Sequence, residues 1–283
     1  MKIIDTYSAL LTAYEEGAFS LAKWKAYIGV ALPGISPLLV SDMEECLHAG
    51  YTWEKDFLPV LNAVVREDSL REQAYDSFCA VTKDLEQTIC ARFGKTLEID
   101  LIFYLGLCNG AGWVTNYCGR KVILFGIEKI MELNWCGLDD MRGLIYHELG
   151  HVYQAQYGIL DRQFDRDAER FLWQLFTEGI AMCFEQALVR DPDYYHQDKN
   201  GWKAWCDDHL DGIKADFDRD LNTMTQASQR YFGDWVWYNG HNDVGYYLGC
   251  RFVQDILSGY PFDEAIRFDM DKVTELYRRF IEA

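Results

Sequence analysis

The chain is short of positive charge: 27 Lys and Arg stand against 45 Asp and Glu, a formal net charge of −18 over 283 residues. Electrostatics of that sign repel phosphate backbones and anionic surfaces, so neither nucleic acid nor a membrane is expected as a partner. No stretch approaches the roughly 18 consecutive apolar residues of a membrane span. Asp5, Glu15 and Glu16 interrupt the N-terminal region before a signal-peptide core can form, and a cytoplasmic location is expected. The nine cysteines are an odd, scattered count without a CxxC pair, which offers no redox or thiolate-metal site; they are expected to be reduced and mostly buried. No segment has the composition of a flexible linker.

What is present is a large apolar share, 49% with 15% aromatics, enough to bury a substantial core. From Asp5 to about Arg92 apolar residues recur at three and four positions, as in Leu58, Leu61, Val64 and Val65, which predicts an all-helical N-terminal region, 1–93, capped near Gly94. The run from Leu97 to Leu105, the segment Trp113 to Tyr117 and the segment Val122 to Phe125, with a turn at Cys118-Gly119-Arg120, predict a small twisted sheet of about three strands. Helical periodicity then returns. One helix is expected from Asp139 or Asp140 to Tyr157, stopping at Gly158, and another from Asp167 to Val189 before Pro192. The expected fold is α+β and predominantly α, with a metal-binding core over 94–190 and a C-terminal helical lobe over 191–283 that closes the cleft.

The chemistry concentrates at His147-Glu148-Leu149-Gly150-His151. Four residues of helix turn about 40° and rise about 6 Å, so both imidazoles can reach one ion. Zinc takes His nitrogens in tetrahedral geometry, and a catalytic site leaves one position for water, so a third protein ligand is required. Glu148 then stands beside that water as general base. Leu144, Ile145, Leu149, Val152 and Tyr153 surround the motif and predict its burial. The best third ligand is Glu178, an acid inside the otherwise apolar stretch from Phe171 to Phe184, where an unpaired carboxylate is costly. Gly179 beside it, expensive in mid-helix, implies a close approach to the backbone. Glu185 and Glu169 are fallback ligands or supports. His48, His196 and His209 are expected at the surface, while Trp235, Trp237 and Tyr238 suit either aromatic packing or the lining of a cleft and are not assigned.

At these residues the chain resembles the gluzincin clan of zinc peptidases, and within it bacterial zinc-dependent proteases with a Glu-Gly-x-Ala third-ligand motif. The resemblance covers roughly residues 97 to 190. It implies a thermolysin-like core with one zinc per chain, held by His147, His151 and Glu178, with Glu148 as base and a peptide or protein as substrate. It also implies that an edge strand, here Asn109, Ala111 and Trp113, holds the substrate backbone, and that a C-terminal Tyr or His steadies the oxyanion. Tyr246, in Asp243-Val244-Gly245-Tyr246-Tyr247-Leu248-Gly249, resembles that Tyr, and His241 is the other candidate. The spacing of 26 residues between His151 and Glu178 is longer than in the best-known members, and Met182 stands where some carry a supporting Asp. Two other readings compete: a non-catalytic zinc module closed by a fourth ligand such as Cys183 or Glu185, and a regulatory protease for one protein partner.

Overall fold

A computed structural model describes residues 1–283. The chain is mostly helical with a small mixed sheet, as expected, and it divides into two compact units, Met1–Glu148 and Leu149–Ala283. The division falls inside one continuous helix. The first unit includes a strand at the start of the chain. Lys2–Asp5 (β1) pairs in parallel with Asp100–Tyr104 (β4), and the N-terminal helices therefore form a crossover within the sheet's own unit.

Within the first unit β1 leads to α1 (Tyr7–Leu10), a small hairpin of β2 (Tyr14–Glu15) and β3 (Ala18–Phe19), and α2 (Leu21–Ala31). Then come α3 (Ser36–His48), α4 (Leu58–Arg66), α5 (Asp68–Thr82) and α6 (Leu85–Phe93), the last ended by Gly94 at φ +66°. β4, β5 (Gly112–Tyr117) and β6 (Arg120–Gly126) complete a four-stranded sheet of order β1-β4-β6-β5. Three strands were expected; β1 escapes notice because its four residues are mostly exposed and carry no apolar alternation. Every residue of β4 is buried, which is why its sequence reads as a continuous apolar run. β5 runs antiparallel to β6 through a two-residue turn in which Cys118 and Gly119 take φ +50° and +76°, the positive values of a type I′ turn. α7 (Ile127–Glu132) and α8 (Leu138–Tyr157) follow.

Glu128, in the first turn of α7, has no exposed surface. Its carboxylate accepts backbone N–H groups of Gly106 at 2.9 Å and Cys108 at 3.1 Å. Burial raises its pKa to about 7, with those donors opposing the rise. The signal that singles out Glu178, an acid inside a largely apolar stretch, is also present in Val122 to Met131.

The second unit begins in the last turns of α8 and continues through α9 (Asp167–Val189), α10 (Trp202–Asp208), α11 (Leu210–Leu221), α12 (Val244–Leu257), α13 (Phe262–Ala265) and α14 (Met270–Glu282). α9 has the expected bounds and is buried on nearly every face from Phe171 to Leu188. It crosses α12 with the two backbones in contact: a methyl group on Gly179 would clash outright with the carbonyl of Gly249, and one on Gly249 with that of Leu175. Gly179 therefore does admit a close approach. Gly158 ends α8 as expected, and the carbonyl of Ile266 packs onto it where a side chain would stand. No helix is long and apolar enough to cross a membrane. All nine cysteines are free, but only Cys136, Cys183, Cys206 and Cys250 are buried, fewer than expected.

Two outcomes follow for stability. Gly179→Ala should lower the unfolding free energy by about 1–3 kcal/mol through overpacking, whereas Gly212→Ala, at a helical position with open space around it, should raise it by about 0.5–1 kcal/mol, both read by urea unfolding. Glu128 has a folded-state pKa near 7 against an ordinary 4.5, so the folded state holds the proton more tightly and stability falls as pH rises between those values. The contribution is on the order of 3 kcal/mol, and Glu128→Gln, neutral throughout, should flatten that part of the profile when unfolding is compared at pH 5 and 7.5.

Candidate metal centre

α8 presents His147 and His151 one turn apart on one continuous helix, and α9 presents Glu178. Ligand atoms of the three lie within 4.8 Å of one another, a group that can hold a metal ion. His151 Nε2 stands 3.2 Å from Glu178 Oε2. Two ligands at zinc-like bond lengths in tetrahedral geometry are about 3.3 Å apart, so this pair has the separation that a shared ion requires. The donor set, two imidazoles and one carboxylate, leaves a fourth tetrahedral position without a protein ligand. The residues present are of the types that fit a divalent metal ion.

Glycine allows the second unit's ligands to meet. Gly150, between Leu149 and His151, packs on Ala181 of α9; a methyl group there would lie 2.7 Å from the Ala181 Cα and 3.1 Å from its carbonyl oxygen. Glu178 precedes Ala181 by three residues and so lies one turn back along that contact, level with His151. Tyr153, fully buried, reinforces it: its ring lies 5.2 Å from that of Phe184, and its hydroxyl donates to Asp263 at 2.6 Å. The acceptor and the burial together hold the Tyr153 pKa well above its ordinary value, so it remains a donor.

Glu148 is half-buried, and the start of β5 lies against it. A methyl group on Gly112 would stand 2.9 Å from Glu148 Cγ and 3.0 Å from Leu144 Cδ1, so only glycine lets the strand backbone come this close to the carboxylate. β5 has β6 on one side only and is an edge of the sheet, as expected. The backbone groups at that edge come from alternate residues of the strand. Ala111 accepts the Gly126 N–H, and Gly112 is opposite Phe125, so by antiparallel alternation Ala111, Trp113 and Thr115 direct their backbone groups to β6. Gly112, Val114 and Asn116 direct theirs to the open edge. Asn109 lies before the strand and serves the loop: its amide donates to the Leu39 carbonyl and Asp42, and its oxygen accepts from Leu107. The Trp113 indole donates to Tyr104 Oη at 3.3 Å.

Tyr246 and His241 have packing contacts of their own. Tyr246, in the first turn of α12, sets its ring edge-on to Phe232 at 6.0 Å, while the ring of His241 stacks on Trp205 at 3.9 Å. Tyr247 is fully buried and donates to Asp207. Trp235 and Trp237 are exposed, while Tyr238 is buried. His196, expected at the surface, is buried and meets both oxygens of Glu185 through Nδ1, at 3.0 and 2.9 Å. Its signal was Glu185 itself, a second acid on the apolar helix that had to find a partner. No family model, curated protein or solved structure matches the chain.

Gly150→Ala should push α8 and α9 apart at the ligands. We expect metal affinity to fall about 10–100-fold with helical content retained, as measured by competition with a chromogenic chelator beside circular dichroism.

Proposed function

We propose that the protein is a zinc-dependent hydrolase, a peptidase of gluzincin type. The observation that carries this reading is the gathering of His147, His151 and Glu178 into one ligand group on the helix that also sets Glu148 against an open strand edge. His147, His151 and Glu178 would hold the ion, which when bound supplies Lewis-acid polarisation of a carbonyl and lowers the pKa of a water. Glu148 takes a proton on its carboxylate from that water and returns it to the leaving amine. An extended peptide adds to β5 through the backbone groups of Gly112 and Val114, which places its scissile bond beside the base. The order of edge strand, HExxH helix and third-ligand helix supports the gluzincin assignment.

The competing structural-zinc reading requires a fourth protein ligand. Of the two candidates, Glu185 is engaged by His196, and Cys183 directs its thiol to the Cys250 carbonyl. Both engagements favour an open coordination sphere.

Elemental analysis of the purified protein should find about one zinc per chain, lost or weakened in His147→Ala and Glu178→Ala. Glu148→Gln should retain the metal yet cleave mixed peptides at least about 100-fold more slowly. Wild-type cleavage by metal-loaded Glu148→Gln would refute the assignment.

A further inference from the structure

Glu128 does no chemistry in the reaction proposed above, yet it is completely enclosed and its two oxygens bind one short segment. That segment is built around it. A methyl group on Gly106 would clash outright with Glu128 Oε1; one on Gly126 would stand 3.1 Å from the same oxygen and 2.6 Å from the Gly110 carbonyl. Between the two bound N–H groups lies Leu107, and Cys108 adopts a left-handed φ of +59°, which turns the chain. Asn109 closes the turn by accepting from Leu107 and fastens it to α3 through the Leu39 carbonyl and Asp42. Ala111 then pairs with Gly126, and the next residue is Gly112, against Glu148.

A carboxyl group suits this place because its two oxygens face two N–H groups of one turn together. An apolar side chain would leave the buried Gly106 N–H and the part-buried Cys108 N–H without this acceptor. We propose that Glu128 is a positioning residue: it anchors residues 106–108 so that β5 begins with Gly112 against Glu148 and its open edge in register for an extended substrate. The proposal rests on the peptidase reading for its purpose, but its structural content is independent of it.

The test uses zinc-loaded wild type, Glu128→Gln, which keeps one acceptor and opposes the second N–H with an amide, and Glu128→Ala, which removes both. Hydrogen–deuterium exchange should accelerate about tenfold or more over residues 106–116 in Glu128→Ala, less in Glu128→Gln, with residues 167–189 unchanged. Two hydroxamates then separate positioning from bulk stability: acetohydroxamate, which needs only the metal, and a hydroxamate carrying an extended tripeptide. In wild type the tripeptide should tighten binding; in both variants that gain should shrink about tenfold, most in Glu128→Ala, with acetohydroxamate affinity and zinc content unaltered. Exchange that rises throughout the chain, or an equal loss of affinity for both hydroxamates, would make Glu128 a general stabiliser and overturn the proposal. A wild type that gains nothing from the tripeptide overturns the peptidase reading instead, while exchange over residues 106–116 still decides whether Glu128 anchors the segment.

Discussion

A carboxylate removed from water must be met by donors or by a cation, and the organisation of this protein depends on how its enclosed acids satisfy that requirement. Glu128 is met by backbone N–H groups, Glu185 by a buried imidazole, and Glu178 by His151 within the ligand group. Each solution ties together two different elements of the chain. Glu128 joins α7 to the entry of β5, Glu185 joins α9 to the loop that follows it, and Glu178 joins α9 to α8. The costly groups are thus also the ones that determine where the elements stand.

Close approach of backbones makes those encounters possible. α9 is buried on almost every face, so its position is set by what can pack against it, and at two places what packs is main chain. Gly150 admits Ala181, and Gly179 admits the carbonyl of Gly249. A side chain at Gly150 would hold α8 and α9 apart beside His151 and Glu178, and one at Gly179 would hold α9 away from α12. Gly112 plays the same part in the first unit, where it brings the edge of the sheet to the proposed base. The catalytic proposal therefore depends as much on three missing side chains as on four present ones.

Much of this is legible in the sequence. The spacing of His147 and His151 followed from helix geometry, Glu178 from the penalty for an unpaired acid among apolar residues, and the close approach at Gly179 from its expense in mid-helix. The bounds of α9 were read from its apolar run and from Pro192. What escaped reading had a common cause. β1 is too short and exposed for periodicity to register, and its pairing partner lies almost a hundred residues away. His196 carries no local mark of burial, because what buries it is a carboxylate eleven residues earlier on another element. Glu128 bore the same mark as Glu178 but lay outside a recognised motif.

By itself, then, the sequence determined the helical character, the ligand types and their spacing along one helix, because these depend on contacts within a few turns of chain. Tertiary structure alone decided that Glu178 meets His151, that the open edge of β5 belongs to Gly112 and Val114 rather than Ala111 and Trp113, and that the N-terminal strand joins the sheet. Those outcomes depend on register and on which backbone reaches which, and a shift of one residue in the pairing of a strand reverses every group along it.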